Sequence, residues 1–287
     1  MSRNKNRVGG TKQPQPDNAP PQSLMGGDTE ATPFSFVVPT EFVELPSGGR
    51  FYTETHPLHQ MTTVEIRHMT AKEEDMLTSR TLLKQGVALD RVIQSLIVDP
   101  AIKADHLLVG DRNAIIIATR AAAYGTDYIT QVVCPACGTA QEYAFDLTDC
   151  APYDGTDTGN MDITPNADGT FDVALPASNV TATIRLLTGA DEKRFINGLQ
   201  ADRKQKRDRT VTRQLRNIVV AVNGDTSAEA LNYAVENFPA IDSRYVRSAY
   251  RLMSPDVDLT QEFTCEECDH EADMEVPLSA DFFWPDR

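Results

Sequence analysis

The sequence predicts an α+β fold made of two tandem related copies about a pseudo-twofold axis. Two strand patterns, Val64-Glu65-Ile66-Arg67 and Val180-Thr181-Ala182-Thr183-Ile184-Arg185, each run into a helix cap. The caps are Thr70-Ala71-Lys72-Glu73, a T-x-x-E capping box, and Thr188-Gly189-Ala190-Asp191. Each copy then closes with strand, C-x-x-C, strand, at Cys134/Cys137 and Cys265/Cys268. Ile66-Arg67-x-x-Thr70 and Ile184-Arg185-x-x-Thr188 stand 118 residues apart, whereas Cys134 and Cys265 stand 131 apart. The second copy therefore holds 13 extra residues, expected in or near the charged stretch after Asp202.

This gives an N-terminal arm over 1–33, a first copy over 34–150, a linker over 151–170 rich in Asp, Gly, Thr and Asn, and a second copy over 171–287. The arm holds five of the 17 prolines and no aromatic residue, the composition of a disordered segment, whether a solubilising tail or a strap that orders on a partner. Strand, Pro/Gly turn and strand follow around Phe42 to Tyr52. The helix opened by Thr70 is expected to run to about Gln85, with Gly86 as its stop. A second helix fits residues 89–97, and a third opens at Gly110-Asp111-Arg112 with Asp111 as N-cap and Gly125 beyond its end. Residues 128–133 and 143–147 read as the strands around the first cysteine pair. In the second copy, residues 215–220 suit a helix, 242–252 another with Arg251 in the place of Arg120, and 259–264 and 274–278 the strands around the second pair.

The chain has 287 residues, 27 basic and 42 acidic, for a net charge of -15. No eighteen-residue apolar run and no apolar signal core are present, so the expected compartment is the cytoplasm. With four basic and three acidic residues in the arm, the remainder carries about -16, which repels phosphate and argues against nucleic acid as a partner.

An odd count of five cysteines in such a chain argues against a disulfide framework. A zinc knuckle is a C-x-x-C at a tight turn between strands, and Gly138 after Cys137 suits the left-handed position of that turn. The 127 residues between pairs exceed the local zinc signature, but a twofold pairing of copies brings both knuckles to one metal. Cys134, Cys137, Cys265 and Cys268 are then the ligands of one structural zinc per chain, since four thiolates leave no open position for catalysis. The competing readings are free thiols or a redox pair, the latter requiring a helix after the C-x-x-C where this sequence has a strand. Cys150 has no partner, His270 is a candidate substitute ligand, and His56, His59, His68 and His106 show no ligand spacing.

One basic cluster stands out: Arg203, Lys204, Lys206, Arg207 and Arg209, with Arg213 and Arg216 beyond. It reads either as a solvated helix face or as an arm that grips an acidic partner, with no aromatic residues to stack on bases. No phosphate loop, nucleophile elbow or dinucleotide fingerprint occurs. Glu73, Glu74 and Asp75 suit the first turn of a helix rather than acid–base chemistry. The sequence predicts no enzyme.

Several motifs in order resemble the T-even-type phage baseplate hub assembly protein family. They are Leu45-Pro46-Ser47-x-Gly49-x-x-Tyr52, Ile66-Arg67-x-Met69-Thr70-x-x-Glu73-Glu74, Gly110-Asp111-Arg112, Arg120, Tyr124-Gly125 and Cys134-Pro135-x-Cys137-Gly138. The resemblance covers residues 38–150 and is weaker beyond. It implies a protein of the contractile phage tail, acting where the hub meets the tail tube and tape measure, in the virion after assembly in the host cytoplasm. Its partners would be other tail and baseplate proteins, with no membrane and no small-molecule substrate. Two other roles stay open: a transient tail-assembly chaperone absent from the virion, and a zinc-ribbon adaptor binding nucleic acid or transcription proteins.

Overall fold

The computed structural model describes residues 37–204, 209–278 and 280–283; the arm expected over 1–33 lies outside them. The described residues from 38 onward cluster as one unit. The first half runs β1 (Thr40–Glu44), β2 (Thr63–Arg67), α1 (Ala71–Thr78), α2 (Arg80–Gln85), α3 (Ala88–Leu96), α4 (Val109–Tyr124), β3 (Asp127–Val133) and β4 (Ala140–Asp146). Next come β5 (Pro152–Tyr153), β6 (Ile163–Pro165), β7 (Thr170–Ala174), β8 (Thr181–Arg185), α5 (Gly189–Lys204) and α6 (Thr210–Ile218). The chain closes with β9 (Val219–Val222), α7 (Ala228–Asn237), α8 (Ala240–Met253), β10 (Asp256–Val257), β11 (Thr260–Thr264) and β12 (Glu271–Glu275). The class is α+β, with small antiparallel sheets: the pairs β1-β2, β3-β4, β5-β10 and β11-β12, and the four strands β6-β7-β8-β9.

The core is one contiguous cluster fed by both halves, including Ile66, Leu96, Leu107, Ile115 and Phe145 from the first and Val173, Ile184, Ile218, Val246 and Phe263 from the second. Residues 151–170, expected as a connection, contain two short strands: β5 pairs with β10 and β6 with β7. The halves also touch at an antiparallel bridge between Leu108 and Thr188, where the Gly189 amide donates to the Leu107 carbonyl.

Local differences from the expected elements have local causes. The helix after Thr70 breaks at Ser79, whose hydroxyl accepts from the Leu82 amide and starts α2 afresh. Gly86 ends α2 in the left-handed region, at φ +68. Residues 215–220 do not stay helical: α6 ends at Ile218, and Val219 begins a β-branched run that pairs with β8.

The two helix caps share one device. Glu73 accepts from the amide and hydroxyl of Thr70, and Asp191 accepts from the amide and hydroxyl of Thr188. Asp191 also takes both terminal nitrogens of Arg185, at 2.7 and 2.8 Å, and contacts Arg194. Burial alone would raise its pKa, but the Arg185 and Thr188 hydrogen bonds hold it well below the usual carboxylate range. Its stabilising contribution is therefore full above the unfolded value near ~3.9 and is lost as pH falls below that. Asp191→Ala is expected to cost about 3 kcal/mol at neutral pH, by leaving Arg185 and the Thr188 amide unpaired. Urea titrations at pH 7 and near pH 3 check the sign: the gap between wild type and variant should narrow in acid.

Candidate metal centre

Each cysteine pair sits in the turn of a two-stranded ribbon. In the first, β3 and β4 pair through Val133 and Ala140; the Cys134 amide donates to the Thr139 carbonyl and the Gly138 amide to the Cys134 carbonyl, both at 2.9 Å. In the second, Thr264 pairs with Glu271; the Cys265 amide donates to the His270 carbonyl and the Asp269 amide to the Cys265 carbonyl, both at 3.0 Å. The turns match position by position. Gly138 has φ +73 and Asp269 φ +52, so an aspartate holds the left-handed place that glycine holds in the first turn.

The ribbons also pack on each other through their side chains. Tyr143 packs its ring edge-on against Phe263, centroids 5.3 Å apart, and its hydroxyl donates to the Glu262 carbonyl at 2.7 Å. Gln141 donates to the Thr264 carbonyl and accepts from the Glu266 amide. Gln261 does the reciprocal service, accepting from the Asp146 amide and donating to its carbonyl. Each glutamine thus binds the partner ribbon's backbone, which fixes the turns against each other.

All four cysteines sequence reasoning singled out come together, and their sulfurs lie within 4.8 Å of one another. The close pairs run across the ribbons: Cys134 Sγ to Cys268 Sγ at 3.9 Å and Cys137 Sγ to Cys265 Sγ at 3.7 Å. A tetrahedral metal with sulfur bonds of ~2.3 Å has sulfur–sulfur edges of about 3.8 Å. A disulfide requires ~2.05 Å, and all five cysteines are free thiols. The donor set therefore fits a soft, four-coordinate cation such as zinc. Cys134 and Cys265 are buried, whereas Cys137 and Cys268 face outward. The Thr139 hydroxyl and amide hold the Cys137 thiol down at about 6. Cys268, although the His270 amide lowers it, is pushed up to about 12 by desolvation and the three neighbouring sulfurs. Four sulfurs this close could all be thiolates only with a cation between them.

The other candidates stand apart. His270 is outside the cluster. Cys150 is half-buried, and burial pushes its thiol up. Arg203 and Lys204 end α5 exposed and Arg209 is exposed before α6, while Lys206 and Arg207 lie outside the described residues. Arg213 and Arg216 pair with Asp202 and Glu236.

A second junction escaped sequence reasoning. Asp111 is not the N-cap of α4: Leu108 is, and Asp111 sits fully buried within the first turn. It accepts from the Ser47 amide and hydroxyl at 3.0 and 2.7 Å and from the Tyr52 hydroxyl at 2.8 Å. In the second half, buried Asp242 of α8 likewise accepts from the Ala177 and Ser178 amides. Arg112, next to Asp111, reaches Asp90 at 3.2 Å and Glu192, and Lys193 joins Asp90 to Asp105 at 2.9 and 2.5 Å. The signal in the sequence was the spacing: Asp111 and Asp242 stand 131 apart, as the cysteines do.

A cleft of about 710 Å³ opens beside this network, with Leu77, Ile116, Ile196 and Phe282 among its walls. Of its charged groups, Asp90, Arg112, Glu192 and Lys193 are tied into ion pairs, and Glu275 also lines it. No helix among the described residues is long and apolar enough to cross a membrane.

A family model described as T4 bacteriophage base plate protein matches residues 38–284. The chain belongs to this T4-type baseplate family. No curated protein and no solved structure matches it. The match takes in both cysteine ribbons and the Gly110-Asp111-Arg112 junction, and it extends over the half where the motif resemblance is weaker. The baseplate family makes this a structural protein of the phage tail, at home among other tail proteins.

Proposed function

We propose that the protein is a component or assembly factor of the baseplate hub, binding neighbouring tube, hub or tape-measure proteins, with one structural zinc joining its two halves. The observation that carries the zinc is the crossed sulfur pairing, Cys134 with Cys268 and Cys137 with Cys265. Zinc bound there would supply charge neutralisation and a fixed geometry, with no open position for chemistry. Cys134, Cys137, Cys265 and Cys268 would hold it.

A tandem duplication belongs to the same proposal, and residues in matching roles support it. Glu73 and Asp191 stand 118 apart and play one role; Ile97 bridges Ile66 as Val219 pairs with Ile184, 122 apart; Asp111 and Asp242 stand 131 apart. The 13 extra residues then split, four before Val219 and nine between it and Asp242, where α7 lies; the second share falls beyond the charged stretch. Arg203, Lys204, Lys206, Arg207 and Arg209 are the proposed contact for an acidic tail protein, the cluster's charge being opposite to the body's.

Quantitative mass spectrometry of purified particles and isolated tails tests the role. A fixed low copy number per particle is expected. Presence only in assembly intermediates would make it a chaperone, and absence from both would overturn the hub reading. A low-salt gel shift through Arg203–Lys204 would favour the adaptor role instead.

A further inference from the structure

The outer face of α8 is cationic on an acidic molecule. Val246, Ala249 and Met253 are buried on one side of this helix. Arg244, Arg247 and Arg251 fall on the opposite side, within about 60° of arc at ~100° per residue. Ile241, 59% exposed, continues the same stripe. None of the three guanidiniums has a carboxylate partner among the described residues; Arg247 touches only the Ser243 carbonyl. Like charges at this spacing repel along a helix. The matching helix of the first half has no such stripe, since Arg112 and Arg120 of α4 are buried.

The opposite chemistry lies on the β11-β12 ribbon. Its outward positions are Thr260, Glu262 and Thr264 facing Glu275, Asp273 and Glu271. Glu262 stands directly across from Asp273, a like-charge pair that weakens a ribbon. None of these four carboxylates forms an ion pair among the described residues. The six equivalent positions of β3-β4 carry Ile129, Gln131, Val133, Ala140, Glu142 and Ala144, a single carboxylate, with Asp127 and Asp146 paired beyond them at the far end of the ribbon. The fold therefore does not require either charged face. Their lengths agree: Arg244 to Arg251 spans about 10 Å of helix, and Glu271 to Glu275 about 13 Å of strand.

We propose that the α8 face of one molecule docks on the β11-β12 ribbon of a second copy. Each surface relieves the other's internal repulsion. Because the two patches differ, the contact is heterologous, and copies continue head to tail into a ring or a filament.

Sedimentation velocity on the full chain, metal-loaded as purified, tests this between about 0.05 and 0.5 M salt. Concentration-dependent association is expected at low salt, weakened about tenfold or more at high salt. R244E/R251E and E262K/D273K, all at exposed positions, should each be monomeric and folded by circular dichroism. Mixed together they should associate again, because the acidic ribbon of the first still meets the cationic stripe of the second and the reversed faces do not repel. A monomer at low salt, or association untouched by either variant, overturns the proposal. So does a shift of duplex DNA that R244E/R251E abolishes without any self-association, which assigns the stripe to phosphate. Failure here leaves the cysteine centre and the hub assignment standing.

Discussion

Purified protein is expected to carry one zinc per chain, and Cys134→Ser and Cys265→Ser are expected to lose it equally. The equality is the informative part. Two independent knuckles, each completed by outside ligands, would bind two ions and lose one per mutation. A redox pair would bind none. A shared centre loses its only ion when either ribbon is damaged, because the close sulfur pairs run between ribbons rather than within them. The loss is also expected to reach the whole fold. A ligand present at ~1,000 times its dissociation constant stabilises the native state by about 4 kcal/mol, and metal at a structural thiolate site binds only the folded arrangement. Removing it should lower Tm by about 10 °C for a domain of this size. Chelation should reproduce the shift in the wild type and leave the two variants unmoved. Cys150→Ser is the control and should keep its zinc, since that sulfur lies outside the cluster. Two ions per chain, or metal retained in one of the two variants, sinks the shared site.

The cysteine ribbons were legible because every signal for them is local: strand alternation, a turn glycine and the C-x-x-C spacing. That the pairs meet follows in the sequence only from the expected repeat, which turns 127 intervening residues from an obstacle into a symmetry argument. The second turn was half-hidden, since Asp269 does the work of a glycine. Asp111 was misread for the converse reason. An acidic residue near the start of a helix has a ready local explanation, whereas its partners Ser47 and Tyr52 lie 64 and 59 residues upstream. Arg120 and Arg251 align in sequence but diverge in space. Arg120 is 1% exposed and donates to the carbonyls of Phe282, Gly125 and Asp127, while Arg251 is exposed. Periodicity places a residue on a face; it does not say whether another segment will cover that face.

Gly110→Ala is expected to destabilise the protein by about 3 kcal/mol, against the ordinary sign for such a change. Inside a helix, alanine normally exceeds glycine by ~1 kcal/mol, because glycine loses more backbone freedom on folding. Gly110 lies in the first turn of α4, and a Cβ there would sit 2.0 Å from the Pro255 carbonyl oxygen and 2.6 Å from the Asp256 Cα. Both are backbone atoms of the segment that pairs as β10 with β5, so no side chain can swing aside. Relief would require α4 to part from β10, and the Asn113 to Asp256 hydrogen bond of 3.0 Å would go with it. The neighbouring Asp111 and Arg112 would also shift, loosening their ties to Ser47, Tyr52, Asp90 and Glu192. The glycine of the Gly110-Asp111-Arg112 motif is thus a packing requirement between the halves rather than a turn signal. A lower denaturation midpoint at unchanged slope is the expected reading, and an unchanged or raised midpoint would show that the two backbones do not meet. Zinc content separates this failure from that of the cysteine centre. The variant should keep its metal, because the ribbons hold each other through Tyr143, Gln141 and Gln261, whose hydrogen bonds run from ribbon to ribbon.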